Sequence, residues 1–188
     1  MPMDMLELMA GRRSVPPQNM QGPGPSADEI GRMLTLASRV PDHGKLARWR
    51  FILFEGAARD RAGEVIAAAY AAGHPDAGAE ALAFEAGRLS RAPLVIGVVG
   101  RPGPHPKIPE WEQMMTLGAV CMALTLAAQG MGYATCWLTE WYSYDRRVLD
   151  RLGLQPQERM AGFLHIGRSD LKPADRERPD VPAMTTRF

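Results

Sequence analysis

At 188 residues the chain is long enough for one sizeable hydrophobic core. No Ser/Gly/Pro-rich linker or internal repeat divides it, so a single domain over residues 1–188 is expected. A formal net charge of +1 with dispersed basic residues lacks the electrostatic footprint that nucleic acid or an anionic membrane surface demands, and both are excluded as partners.

The chain opens with Met5, Leu6, Leu8 and Met9 spaced for one face of a short helix over Met3 to Gly11, closed by Gly11. Arg12, Arg13 and Ser14 follow. They read either as a solvated basic cap on the helix dipole or as an anion site, since two guanidiniums and a hydroxyl can fork onto a phosphate. The N-terminal segment carries acidic residues and no long apolar region, which predicts a cytoplasmic protein. Pro16 to Pro25 is a Pro/Gly/Gln-rich loop. Ser26 and Glu29 then form a capping box for a helix to about Arg39, with Ile30, Met33, Leu34 and Ala37 at helical spacing and Pro41 ending it. A polar turn, Asp42 to Lys45, leads into a strand from Trp49 to Phe54.

Ala57 to Ser90 is rich in Ala, Glu and Arg, which suits two helices separated near Gly73, His74 and Pro75. Pro93 to Val99 is a continuous apolar run of strand length, as expected where both faces are covered. After a Pro-rich loop from Arg101 to Pro109 comes the most apolar stretch of the chain. Met114 to Ala128 is apolar nearly all round, the pattern of a helix buried on every side. The apolar run stops short of the roughly 20 residues that span a bilayer, so a protein core is the better environment. One domain of this size buries such a helix by wrapping its other elements around it or by covering part of it with a second subunit. Gly130 and Gly132 suit a helix end and turn, and Tyr133 to Leu138 reads as the next strand. Tyr144 to Leu152 reads as a short helix and Gly162 to Gly167 as another inner strand. The tail, 169–188, is Pro- and Arg-rich and is expected to lie extended along a partner subunit.

Cys121 and Cys136 are the only cysteines. Both lie in apolar sequence without a CxxC pair, which predicts reduced core residues. The histidines lack metal-site spacing, and no phosphate-binding GxxxxGK[ST], dinucleotide GxGxxG or GxSxG elbow is present. His165 sits in an apolar strand and reads as a hydrogen-bonded core residue. His43 lies in a polar turn, where a side chain can face a ligand.

The triplet Arg12 to Ser14 after a short helix, RVPDH from Arg39 to His43 ahead of Trp49, PEWEQ from Pro109 to Gln113, and Trp137 to Thr139 after the apolar helix occur in one order. Together they resemble the compact, YdjA-type branch of the FMN-dependent nitroreductase family, over essentially the whole chain. The resemblance implies an α+β fold, with a central mainly antiparallel sheet surrounded by helices and the buried helix of about 110–130 at the core of a homodimer. It implies two FMN sites at the subunit interface. Arg12, Arg13 and Ser14 would grip the flavin phosphate and ribityl chain, Arg39 and His43 would line the site, and Trp137, Leu138 and Thr139 would add contacts. Arg48 stands where the family often has proline, Glu140 where a glycine is expected, and Arg168 where a small residue is usual.

The implied activity is an FMN-dependent oxidoreductase that takes hydride from NADH or NADPH and reduces a nitroaromatic, quinone or similar small-molecule acceptor, with ping-pong kinetics and no metal. Arg13, Arg39 or Lys45 would supply positive charge near the reduced ring. The small size also admits a second reading, a flavin-binding or flavin-sequestering protein with little turnover. A cofactor-free role would leave the two arginine-containing clusters without a common purpose.

Overall fold

The computed structural model describes residues 4–188. The predicted start of the first helix, Met3, lies outside them. The described residues form six α-helices around one four-stranded sheet. In chain order these are α1 (Met5–Gly11), α2 (Ala27–Ala37), β1 (Trp49–Glu55), α3 (Ala57–Gly73), α4 (Ala79–Ala86), β2 (Leu94–Gly100), α5 (Glu110–Gly130), β3 (Ala134–Leu138), α6 (Arg146–Arg151) and β4 (Arg159–Gly167). The sheet runs β1-β2-β4-β3, and each pairing is antiparallel. The fold is α+β, as expected.

β2 explains the layers. Its seven residues are all buried, and strand alternation sends them to two different cores. Leu94, Ile96 and Val98 face α2 and α5, together with Leu164 and Ile166 of β4. Val95 and Val99 face α3 and α6, together with Phe54, Tyr142 and Phe163. Helices thus cover the sheet on both sides, which is why β2 reads as a continuous apolar run rather than an alternating one.

α2 starts where the capping box places it. Glu29 N–H donates to the Ser26 hydroxyl, and the Ser26 amide donates to the Glu29 carboxylate at 2.8 Å. The bond from the Ser26 amide, with further ones from the Tyr133 hydroxyl at 2.9 Å and the Ser26 hydroxyl at 3.0 Å, holds the Glu29 carboxyl below the usual range. The helix ends at Ala37, two residues earlier than expected, with the Ser38 hydroxyl bonded back to the Leu34 carbonyl at 2.9 Å. β4 is three residues longer than expected, because Arg159 and Met160 pair with Gly100 and Val99 across a register shift at Val98/Val99. The short helix starts later than expected, at Arg146. Trp141–Ser143 forms a separate 3-10 turn before it.

α5 departs from expectation in a useful way. Leu117, Val120, Cys121, Leu124, Thr125 and Ala128 are buried, but Trp111, Met115 and Met122 are 68%, 57% and 37% exposed. Positions 111, 115, 122 and the half-buried 126 fall on one stripe of the helix. The helix is therefore buried on one face within its own chain, not on every side. It is long and apolar enough to cross a membrane by length and composition, but its inward face forms the main core with α2 and the sheet. Cys121 and Cys136 are free and buried, and burial pushes the Cys121 thiol up to about 12. The tail from Ser169 carries no α-helix or strand.

Candidate functional site

The residues singled out in the sequence fall at two places on one chain, set by the ends of α5. At its C-terminal end, Gln129 Nε2 donates to the Arg13 carbonyl at 2.9 Å and to Thr135 Oγ1 at 2.7 Å. The Val15 amide donates to the Thr135 carbonyl at 3.0 Å. The triplet thereby runs beside β3 as an extra edge segment. Arg12 is the C-cap of α1 and leaves it with extended dihedrals, and the last turn of the helix itself holds no basic residue.

Arg12 and Arg13 line a cleft of about 520 Å³ with Gly132, Tyr133 and Lys172. Arg13 Nη1 is buried there without a hydrogen-bond partner, and the nearest carboxylate, Asp175 of the tail, stands 3.9 Å away and is largely exposed. An orphaned buried guanidinium nitrogen is costly, and an anion with several acceptor oxygens placed in the cleft would satisfy it. The residues here fit a phosphate group. Ser14 is exposed beside them. Arg168 is turned away: its guanidinium stacks on the Tyr133 ring at 3.9 Å and donates to the Gly132 carbonyl at 3.0 Å.

Trp137, Leu138 and Thr139 continue the same edge. The Trp137 indole donates to the Ala161 carbonyl at 3.1 Å and lies over Gly162, where a Cβ would come within 2.0 Å of Nε1. Only glycine allows that approach. The next residue, Glu140, does not reach the cleft. It accepts from Arg88 at 2.7 Å, Arg91 at 2.5 Å and the Tyr142 hydroxyl at 2.6 Å. Burial opposes its charge, but the bonds from Arg91 and Tyr142 win and keep the carboxyl below its usual range. Arg88 is shared with Glu85, which also accepts from the Trp141 indole at 2.9 Å. This half-buried network anchors the end of the Trp137 to Thr139 segment.

Arg39 and His43 are elsewhere. His43 begins a 3-10 turn, His43–Lys45, at the N-terminal end of α5, where its Nδ1 donates to Glu112 Oε2 at 2.6 Å. His43 and Glu112 line a shallow apolar cleft of about 400 Å³ with Pro41, Trp111, Met115 and Ala119. Arg39 is exposed just before this turn, and Lys45 is exposed within it. From Glu112 to Gln129 the helix advances roughly 25 Å at 1.5 Å per residue. One chain therefore sets Arg12 and Arg13 in one cleft with Ser14 next in sequence, keeps Trp137, Leu138 and Thr139 farther along the neighbouring strand and outside the cleft lining, and leaves Arg39 and His43 at the far end of α5.

Glu112 and Gln129 have positioning roles that the sequence reading does not assign; for Gln129 the available signal is an amide side chain at the C-terminal end of an apolar helix. His165 is wholly buried, with Nε2 3.4 Å from the Arg88 carbonyl and Nδ1 unpartnered, so it is a core residue as expected. Burial, with Arg91 nearby, lowers it to about 4. Among the described residues no group of three or more His, Cys, Asp or Glu is placed to hold a metal ion.

Comparison with known proteins identifies the family. The sequence model of the Nitroreductase family matches residues 9–168. The chain belongs to the nitroreductase family. YdjA of Escherichia coli strain K12, provisionally named an NAD(P)H nitroreductase, is 32% identical over 188 residues, 99% of this chain and 100% of that one. A nitroreductase-like family protein from Bacillus cereus superposes with a TM-score of 0.84 at 20% identity, covering 99% of this chain and 96% of that one. A nitroreductase with bound FMN from Bacteroides fragilis gives a TM-score of 0.69 at 21% identity over 97% of each chain. The nitroreductase fold and an NAD(P)H-dependent oxidoreductase activity follow from membership.

Proposed function

We propose that this nitroreductase is an FMN-dependent enzyme which takes reducing equivalents from NADH or NADPH and passes them to a nitroaromatic, quinone or similar acceptor. The observation that carries the reading is the buried Nη1 of Arg13, without a hydrogen-bond partner, in a cleft that also holds Arg12. The FMN bound to the Bacteroides fragilis relative and the NAD(P)H in the name of YdjA support it.

When bound, FMN supplies the two-electron carrier between nucleotide and acceptor. This chain's residues do the rest. Arg12 and Arg13 hold the phosphate, with Ser14 as a further hydrogen-bonding group beside it. Trp137 to Thr139, clamped between Gly162 and the Glu140 network, border the site and help to exclude water. Nucleotide and acceptor take turns at one place, so the kinetics are ping-pong.

The site is completed by a second copy of the chain. An antiparallel pairing of two α5 helices along Trp111, Met115 and Met122 covers the exposed stripe and sets the His43 turn of one copy against the triplet of the other. His43, Arg39 and Lys45 then come from the partner, and the tail beyond Asp175 runs along it. We assign the protein to the cytoplasm, where its free, buried cysteines stay reduced.

The test is an anaerobic absorbance titration of the FMN-reconstituted protein with NADH and then NADPH, followed by acceptor. Bleaching that reverses on acceptor addition is the expected result. Flavin that binds but never bleaches would instead establish a flavin-sequestering protein, and flavin that does not bind would overturn the cofactor. Sedimentation of a Met122→Lys variant checks the assembly, with monomers expected in place of dimers.

A further inference from the structure

Three arginines outside the triplet meet at the other end of the sheet. Arg48 precedes β1, Arg101 follows β2, and Arg159 opens β4. These strands are neighbours in the order β1-β2-β4. Trp49 and Arg159 both stand opposite Gly100, and the Arg101 amide donates to the Arg48 carbonyl at 2.9 Å, which extends the register by one residue. The topology therefore sets Arg48 directly across from Arg101, with Arg159 beside them. Like charges opposed across strands are destabilising.

Among the described residues no carboxylate fully offsets them. Glu158 gives both its oxygens to Arg50, at 2.9 and 2.7 Å. The bonds from Arg50 hold its carboxyl below the usual range despite burial, and it stands 3.9 Å from Arg101 Nε. The guanidiniums surround a cleft of about 690 Å³ walled by Leu46, Pro102, Pro104 and Pro156, with Glu110 also on its lining.

The cleft is held in shape. The buried Gln113 amide accepts from Gly103 N at 3.1 Å and donates to the Gly103 carbonyl at 2.9 Å and the Ile108 carbonyl at 3.1 Å, which fixes the loop. At Gly103 a Cβ would lie 3.0 Å from Arg48 Nη1, so the missing side chain lets the guanidinium rest against that loop.

We propose that this cleft is a second anion site, which takes the phosphate group of an organic phosphate ester. Three guanidinium forks match the oxygens of a phosphate. The volume is of the size that encloses a small molecule, and its proline and leucine walls cover a sugar or ring attached to the phosphate, which an inorganic ion would leave unused. The inference is independent of the flavin reading. The triplet borders Ala134, which pairs with Gly167 at one end of β4, and Arg159 stands at the other.

The test follows amide and arginine Nε resonances of the full-length ¹⁵N-labelled protein during titration with adenosine 2′-monophosphate, pyrophosphate, and chloride at matched ionic strength. Saturable shifts at Arg48, Arg101, Gly103 and Arg159 are expected. Arg159→Gln, at an exposed position, weakens binding about tenfold, Arg101→Gln does the same, and an Arg12→Ala/Arg13→Ala variant leaves these shifts intact. Tighter binding of adenosine 2′-monophosphate than of pyrophosphate is expected, and equal binding of the two overturns the assignment to an organic ester. Shifts confined to residues 12–15, an equal response to chloride, or unchanged affinity in both glutamine variants overturns the proposal.

Discussion

The two ends of α5 are finished to different degrees. At the C-terminal end the polar side chains are partnered from several elements: Gln129 bridges Arg13 and Thr135, Tyr133 reaches Glu29, and Arg168 caps Tyr133. The adjoining segment ends in Glu140, locked between two arginines and Tyr142. At the N-terminal end the buried Gln113 fixes the preceding loop, but the His43 turn is tied on by exposed groups, Thr116 Oγ1 to the Pro41 carbonyl at 3.3 Å and His43 to Glu112, whose side chains are 60% and 38% exposed. Lys45 and Ala47 there hold left-handed backbone, φ 52° and 48°, which non-glycine residues adopt at a cost. In the proposed dimer the C-terminal end is the half of the flavin site that the chain prepares itself, and the His43 turn is the half that it offers to its partner.

The contrast is broken most severely at Glu140. Glu140→Ala leaves the partly buried Arg88 and Arg91 without their shared carboxylate, and loss of one partner from a buried ion pair costs about 3–5 kcal/mol. Urea denaturation is expected to show that loss. Glu140→Gln, which keeps an acceptor oxygen for Tyr142, loses less. If Glu140→Ala unfolds at the parent midpoint, the segment from Trp137 to Thr139 is not held by this network.

His165 makes a second, pH-dependent break on the same finished side, since it pairs with Cys136 of β3. Its ordinary value of 6.5 falls to about 4 through burial, with Arg91 adding repulsion. Between those values the unfolded chain takes up a proton that the folded chain refuses, so stability declines as pH falls from about 6.5 to about 4 and is full above that window. The linked loss is about 3 kcal/mol. A His165→Gln variant is expected to flatten that part of the stability profile measured by denaturant midpoints from pH 7 to pH 4; a profile as steep as the parent's would assign the acid loss to other groups.

How far the sequence foretold this molecule follows the same division. Capping chemistry and continuous apolar runs are local signals, so α2 and β2 were legible with nearly correct bounds. The triplet was legible as a candidate, because adjacent guanidiniums need no tertiary information, but its residues alone do not tell a basic cap from an anion site. What the sequence hid was pairing at long range. Nothing local tells that Glu140 is spent on Arg88 and Arg91, about 50 residues earlier in the chain, rather than facing the cleft. Nor does apolar composition reveal which face of α5 is left bare: Met115 and Met122 look like core residues until the sheet and α2 take the opposite side. β4 was read short for a related reason, since Arg159 is admitted to the strand by its cross-strand partner Gly100 and not by its own propensity.

The smallest expected effect sharpens the comparison by making similar deletions at its two ends. Glu112→Gln removes the charge that orients His43 through Nδ1 but leaves an exposed pair, and exposed pairs contribute roughly 0–1 kcal/mol to folding. The cofactor-free chain should therefore keep its melting temperature. Gln129→Leu strips the Arg13 carbonyl and the Thr135 hydroxyl of their shared donor in a half-buried setting, at about 1–3 kcal/mol, so this variant should melt lower. Flavin fluorescence quenching separates them further. Glu112→Gln is expected to weaken FMN by about fivefold, the worth of one hydrogen bond of about 1 kcal/mol, only if the His43 turn meets flavin held by the triplet of another copy. The discriminating measurement is thus Glu112→Gln combined with Met122→Lys: in a chain that no longer pairs, His43 has no flavin to meet, and the Glu112 substitution should then cost nothing in affinity. An undiminished fivefold loss in the monomer would place His43 at its own chain's flavin, contrary to the roughly 25 Å that α5 sets between them.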